Sequence, residues 1–257
     1  MKCDPVTGVC QVPDLNDPAE SVHLAPISAT AATETSATAA PSARQQWAVR
    51  YIGDPMCSWC WGISPTVGAV EAFCQAEGVE FSITMGGLRS GGGDLWNTEF
   101  KDFLRSEWRR IADTTGQPFG FSLLETPHFE YDTEPACRAV VTAKVLQARH
   151  HLASSTALKF FTAVQRKFYV EGQDPKLPDF YASICAELAI DFDEFCAAFD
   201  SSQAMQAVQQ DFMLCRKWGV RSFPTLLLER PGETQQLAKG YVTTEQVLAR
   251  LRQELAA

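Results

Sequence analysis

The chain has no long apolar run, no basic excess and no second cysteine or histidine pair at metal-ligand spacing. No stretch reaches the roughly 18 apolar residues that a membrane-spanning helix requires, so no membrane association is expected. Lys and Arg number 22 against 31 Asp and Glu, a formal charge of −9 with no Lys/Arg-rich run. Nucleic-acid binding, which needs a basic face to neutralise phosphates, is therefore not expected. The four histidines, His23, His128, His150 and His151, have no partners at zinc-ligand spacing. No secretory leader is expected either. Met1-Lys2-Cys3-Asp4-Pro5 runs into a polar, acidic, Pro-broken stretch, and nothing apolar precedes the cleavage-like Ala37-Thr38-Ala39. With few basic residues the segment is also a poor transit peptide. The expectation is a cytoplasmic protein, and an odd count of nine cysteines in a chain too long to need stapling fits mostly reduced thiols.

What is present divides unevenly. Ser21 to Arg44 is dominated by Ala, Ser and Thr. Such a segment cannot bury enough surface to offset its ordering entropy, so residues 1–45 are expected to form a disordered tail. From Trp47 the pattern sharpens. Trp47 to Ile52 reads as a strand ended by Gly53-Asp54-Pro55, with a helix from the first cysteine to about Ala76. Val79 to Met85 alternates with the period of a strand. Strand, helix, strand in about 40 residues implies a right-handed βαβ unit. Between about Leu95 and Val220 the signals are nearly all helical, with Thr133 capping one helix and Ser154 or Ser155 opening the next. Phe223 to Glu229 then returns to strand, Gln236 to Tyr241 pairs with it as a hairpin, and Thr243 starts a last amphipathic helix. The layout β-α-β, helical block, β-β-α predicts an α/β protein of thioredoxin fold with an inserted all-helical domain. Residues 46–88 and 220–257 would form the core and 89–219 the insert.

The chemistry concentrates in Asp54-Pro-Met-Cys-Ser-Trp-Cys-Trp-Gly62. Two cysteines separated by two residues can close a small disulfide ring when the second lies in the first helical turn. The first then sits at the helix N-terminus, where orphan N–H groups and the helix dipole favour the thiolate that attacks disulfides. Cys57 is expected to be the exposed attacker and Cys60 the buried resolving thiol. A zinc site or inert core cysteines are the competing readings, and zinc would want a second ligand pair. Pro65, inside the expected helix, should kink it. Pro224 opens a strand, where either a trans or a cis peptide could serve.

These segments, with Met85-Gly-Gly-Leu-Arg89, Asp132-Thr-Glu-Pro-Ala-Cys-Arg138 and Trp218-Gly-Val-Arg-Ser-Phe-Pro-Thr225, resemble the DsbA-like thioredoxin family. Within it they are most similar to the FrnE-like branch of cytoplasmic protein-disulfide isomerases. The resemblance runs from about residue 47 to the C-terminus. It implies a cis peptide before Pro224 and substrate contacts from Phe223, Pro224, Ser58 and Trp59, with Asp54 and Pro65 in support. It also implies disulfide exchange with a protein or a small thiol, glutathione among them, without a cofactor. Two departures matter. The strand position that often carries a proton-moving acid is Tyr51, leaving open whether Asp54 substitutes, and Ser58-Trp59 lacks the His of strongly oxidising relatives. Reduction or isomerisation of disulfides is therefore expected over their formation.

A glutathione-dependent isomerase or transferase on the same fold is an alternative, disfavoured by retention of both cysteines. A non-redox chaperone using Phe160-Phe161 and Phe168-Tyr169 as a binding patch is another. The Gly-rich stretch Gly86 to Gly93 matches no phosphate-loop spacing; Arg89 at its tip could hold an anionic substrate. Cys74, Cys137, Cys185, Cys196 and Cys215 read as small core residues. Cys3 and Cys10 have two readings: thiols on a tail, or a tethered pair that exchanges with Cys57.

Overall fold

The protein is described by a computed structural model that covers residues 2–4, 7–11 and 47–256. Two short strands, β1 (Lys2–Asp4) and β2 (Val9–Gln11), come first. They are followed by β3 (Ala48–Gly53), α1 (Ser58–Gly62), α2 (Ser64–Glu77) and β4 (Glu80–Met85). Seven helices form the insert: α3 (Thr98–Thr115), α4 (Ser122–Glu125), α5 (Glu134–Arg149), α6 (Thr156–Tyr169), α7 (Ala182–Glu187), α8 (Phe192–Phe199) and α9 (Ser202–Lys217). The chain closes with β5 (Ser222–Phe223), β6 (Thr225–Arg230), β7 (Glu233–Lys239) and α10 (Thr244–Ala256).

The main sheet has the order β4-β3-β6-β7, with β3 parallel to β4 and antiparallel to β6. A strand flanked on both edges and covered on both faces must be apolar throughout, and five of the six β3 residues are buried. This is a mixed α/β thioredoxin-like fold with an inserted helical region, as the element order implies. Local chemistry explains most of the boundaries. The side chains of Asn97, Asp191 and Ser201 each accept an N-terminal amide, from Phe100, Glu194 and Ala204 respectively. Gly78 and Gly116 end α2 and α3 in the left-handed conformation.

Three expectations change. The helix from Cys57 to Ala76 is two helices joined at Ile63, and Pro65 lies in the first turn of α2. There its missing N–H costs no hydrogen bond, so it starts a helix instead of kinking one. Thr133 is the N-cap of α5 but makes no side-chain cap; its hydroxyl accepts from the Arg89 N–H at 3.1 Å, while Asp132 accepts from the Glu134 N–H at 2.9 Å. The largest correction concerns the expected tail over residues 1–45. Residues 2–4 and 9–11 form a hairpin whose second strand pairs antiparallel with β5, Cys10 opposite Phe223 and Gln11 opposite Ser222. Residues 12–45 lie outside the described part.

The aromatic residues weighed as a substrate patch are core. Phe160, Phe161, Phe168 and Tyr169 are all buried, and Phe161 meets Tyr51 of β3 edge-on at 5.7 Å. Among the described residues, no helix is long and apolar enough to cross a membrane.

Candidate active site at the start of α1

Strand β3 delivers the chain through Gly53-Asp54-Pro55 to Cys57, the N-cap of α1, whose amide is held by the Asp54 carbonyl at 3.0 Å. Cys60, three residues on, lies in the first turn, so the two thiols lie side by side. The Cys60 backbone N–H faces the Cys57 sulfur without closing a cap bond. On the other side, the Cys57 thiol points to the Phe223 carbonyl at 3.9 Å. The Phe223–Pro224 peptide is cis. Thus residues from opposite ends of the chain converge on one sulfur.

Both cysteines are fully buried, which overturns the expected exposure of Cys57. The expected fall in its pKa is overturned with it. Burial pushes the Cys57 thiol well above the ordinary range, and the Cys10 thiol close to it pushes in the same direction. The contacts with Cys60 oppose that rise. A five-residue helix offers only a few orphan amides, and desolvation outweighs them here. Burial likewise pushes the Cys60 thiol well above the ordinary range.

The surroundings of Cys60 answer the question left by the missing strand acid. Asp54 is fully buried, but its carboxylate points elsewhere. One oxygen accepts from the Met56 N–H at 2.8 Å. The other accepts from the Leu88 N–H at 2.7 Å and the Cys137 thiol at 3.4 Å, and the Thr133 hydroxyl also bonds to the carboxylate. Burial raises its pKa and these donors restrain the rise. Asp54 therefore staples the active-site loop to the strand exit after β4 and to α5. The side-chain group facing Cys60 is the Tyr51 hydroxyl, which has no conventional hydrogen-bond partner and holds the rise in the Cys60 pKa in check. Its approach depends on Gly53, where an added Cβ would lie 2.6 Å from the Tyr51 oxygen.

The remaining expected residues distribute as follows. Ser58 and Trp59 are buried, with the Trp59 ring against Tyr241 at 5.7 Å and under the Arg110 guanidinium at 5.1 Å. Phe223 and Pro224 line the same face. Arg89 is not presented to an anionic substrate. It is buried, ion-paired with Asp94 and lies over the rings of Phe100 and Tyr131 at 4.8 and 5.0 Å. Sequence reasoning did not assign Tyr51, Cys137 or Tyr131 to the site. The Tyr131 hydroxyl donates to the Met56 carbonyl at 2.8 Å, on the turn just before Cys57. The tyrosine at the acid position was a usable signal; the two insert residues reach the site only through tertiary contact.

Residues 128–255 match the Thioredoxin-like domain family, a span that includes the cis-Pro strand but not Cys57 or Cys60. No protein of reviewed function matches the chain in sequence. Among solved structures, a candidate protein disulfide isomerase from Nitrosomonas europaea is 31% identical over 98% of its length and 82% of this chain, with a TM-score of 0.73. The chain belongs to the DsbA-like thioredoxin-fold oxidoreductases. The cytosolic disulfide reductase DsbM from Pseudomonas aeruginosa shares 27% identity, with 81% of this chain and 98% of that one covered and a TM-score of 0.67. The same protein with GSH aligns at 26% identity and a TM-score of 0.64, covering 82% and 100%. Family membership and the Cys-x-x-Cys pair make this a thioredoxin-like disulfide oxidoreductase by descent.

Proposed function

We propose that the protein reduces or isomerises disulfides, with Cys57 as the attacking thiol and Cys60 as the resolving one. The carrying observation is the Cys57–Cys60 pair in the first turn of α1, with Cys57 at the carbonyl that precedes Pro224. The Cys57 thiolate attacks one sulfur of a substrate disulfide and expels the other as a thiolate. Cys60 then attacks Cys57, releases the second substrate sulfur and closes the Cys57–Cys60 disulfide. Substrate gains two electrons and the enzyme loses two. Tyr51, against Cys60, is the group placed to exchange the proton that Cys60 must lose.

The reducing direction is favoured by the same burial that raises both thiols. A dithiol whose thiolates are poorly stabilised gives up electrons more readily than one held as a thiolate, the opposite of a strong oxidant. The substrate is proposed to be a protein disulfide or glutathione disulfide, by analogy with the relative studied with GSH, and the setting a cytosolic one. Ser58 and Trp59 would flank the bound substrate on one side, Phe223 and Pro224 on the other. Turnover of insulin and of glutathione disulfide, with the Cys57/Cys60 potential measured against glutathione, tests the reading. A potential near the DsbA value of about −120 mV would reverse the proposed direction.

A further inference from the structure

The N-terminal hairpin sits where a substrate chain would. Extended peptides commonly bind by adding a strand to a sheet edge, main-chain bonds giving affinity and side chains giving specificity. Here β2 adds to β5 immediately before Pro224, and Cys10 is the residue opposite Phe223. The Phe223 carbonyl is also the one the Cys57 thiol points to. Cys10 is fully buried, and its thiol lies close to that of Cys57. A peptide bound for exchange would need its reacting sulfur at this place.

The seat is built from both sides. The Tyr241 N–H donates to the Thr7 carbonyl at 3.0 Å. Gly8 makes the hairpin turn at φ +64°, and a Cβ there would lie 2.6 Å from Tyr241 Cβ and 3.0 Å from Trp59 Cε3. Facing it, Gly240 has φ +77°, and a Cβ there would lie 2.2 Å from the Thr7 carbonyl oxygen. A glycine on each side of the joint lets the backbones approach more closely than side chains allow.

The hairpin register adds a second cysteine. Cys3 is the cross-strand partner of Cys10. Directly opposed residues in an antiparallel pair have Cα atoms about 4.5–5.5 Å apart, inside the roughly 4.4–6.8 Å that a disulfide requires. By register, Cys3 is thus placed next to Cys10, whose thiol lies beside that of Cys57.

We propose that the hairpin is a resident substrate of the site and that Cys3 and Cys10 form a second redox pair exchanging with Cys57 and Cys60. This rests on the reading of Cys57 and Cys60 as redox-active. Starting from the Cys57–Cys60 disulfide, the Cys10 thiolate attacks the Cys57 sulfur. A Cys10–Cys57 bond forms, the Cys57–Cys60 bond breaks, and Cys60 leaves as a thiolate that takes up a proton. The Cys3 thiolate then attacks Cys10, forming Cys3–Cys10 and expelling Cys57. Two electrons pass from the hairpin to the active site, and the two protons given up by Cys3 and Cys10 balance those taken up by Cys57 and Cys60. No outside oxidant enters the step. While docked, the hairpin also excludes external disulfides, so an outside substrate must displace it or exchange through Cys3 and Cys10.

The test uses the full-length chain with Cys3→Ser and Cys60→Ser together, which leaves neither thiol that could resolve a Cys10–Cys57 bond. After treatment with glutathione disulfide under native conditions and quenching by alkylation, non-reducing peptide mapping should find a Cys10–Cys57 disulfide within the monomer as the main form of Cys57. Cys57 carrying glutathione, with Cys10 alkylated, would overturn the hairpin exchange while leaving the proposed function standing. Cys57 recovered only as an alkylated thiol would mark failure of the redox reading itself. Cys60→Ser alone supplies an independent arm. With Cys3 restored, Cys10–Cys57 should fall at least tenfold below the double variant and a Cys3–Cys10 disulfide should appear; equal Cys10–Cys57 in the two variants would remove Cys3 from the scheme.

Discussion

The two active-site sulfurs are equally buried, but for different reasons. Cys60 is enclosed by the core: Tyr51 from the central strand, the Asp54 amide, and beyond them Phe161 of the helical insert. Cys57 is enclosed by Phe223 on one side and on another by the β1–β2 hairpin, whose described residues touch the rest of the protein through β5, Trp59, Gly240 and Tyr241. A few backbone bonds and about one small apolar patch hold such a piece, so it can leave at a cost of a few kcal/mol. Equal exposure thus conceals one permanent barrier and one removable one. The proposed nucleophile is the sulfur with the removable cover.

The largest effect should come from Cys57 itself. Cys57→Ser is expected to lower insulin and glutathione-disulfide reduction by at least 10³-fold, since a hydroxyl does not ionise near neutral pH; Cys60→Ser should stall after a single mixed disulfide. Asp54→Ala, on the permanent side, leaves the Met56 and Leu88 amides buried without acceptors. Each unsatisfied group costs roughly 1–3 kcal/mol, so a loss of about 2–5 kcal/mol should appear in urea denaturation. Stability unchanged within 0.5 kcal/mol, by the usual scatter of such measurements, would remove Asp54 as a staple. The Tyr51→Phe change should be milder. It removes one weak contact to Cys60, worth about 0.5–1.5 kcal/mol, and so slows the resolving step by roughly 3- to 10-fold with little change in stability. A Tyr51→Phe enzyme with wild-type release of mixed disulfides but an altered melting temperature would mean the hydroxyl only packs.

The two sides also differ in how far they could be read from sequence. Periodicity and Gly/Pro punctuation sufficed for the sheet, the insert and the Cys-x-x-Cys turn, because those elements are long enough to repeat. The joint at Ile63 was missed because Pro65 was taken as a helix-interior residue, when a first-turn proline fits equally well. Strands of three residues carry no readable period, so the hairpin was taken for tail. One clue was present: Val-Thr-Gly-Val between two cysteines is a glycine-containing turn of hairpin length. The rise in the Cys57 pKa followed the same miss. An exposed helix N-terminus lowers a thiol; a covered one does not. The contact from Cys137 to Asp54 joins residues 83 apart and had no local signal at all.

The comparison of the two sulfurs comes down to the reactivity of Cys57 with and without its cover. Because the docked thiol has a raised pKa, docking favours the protonated form. That contribution is present below the pKa of the uncovered thiol and is lost as pH rises through the ordinary thiol range, about pH 8–9. Iodoacetamide labelling of Cys57, followed site by site across pH 6–10 (roughly two units either side of that range), should therefore be slow in the full chain and climb to the top of the range. In a chain beginning at residue 12 it should be at least tenfold faster at neutral pH and level off near the ordinary value, with Cys60 slow in both. Identical Cys57 profiles for the two chains would contradict the account.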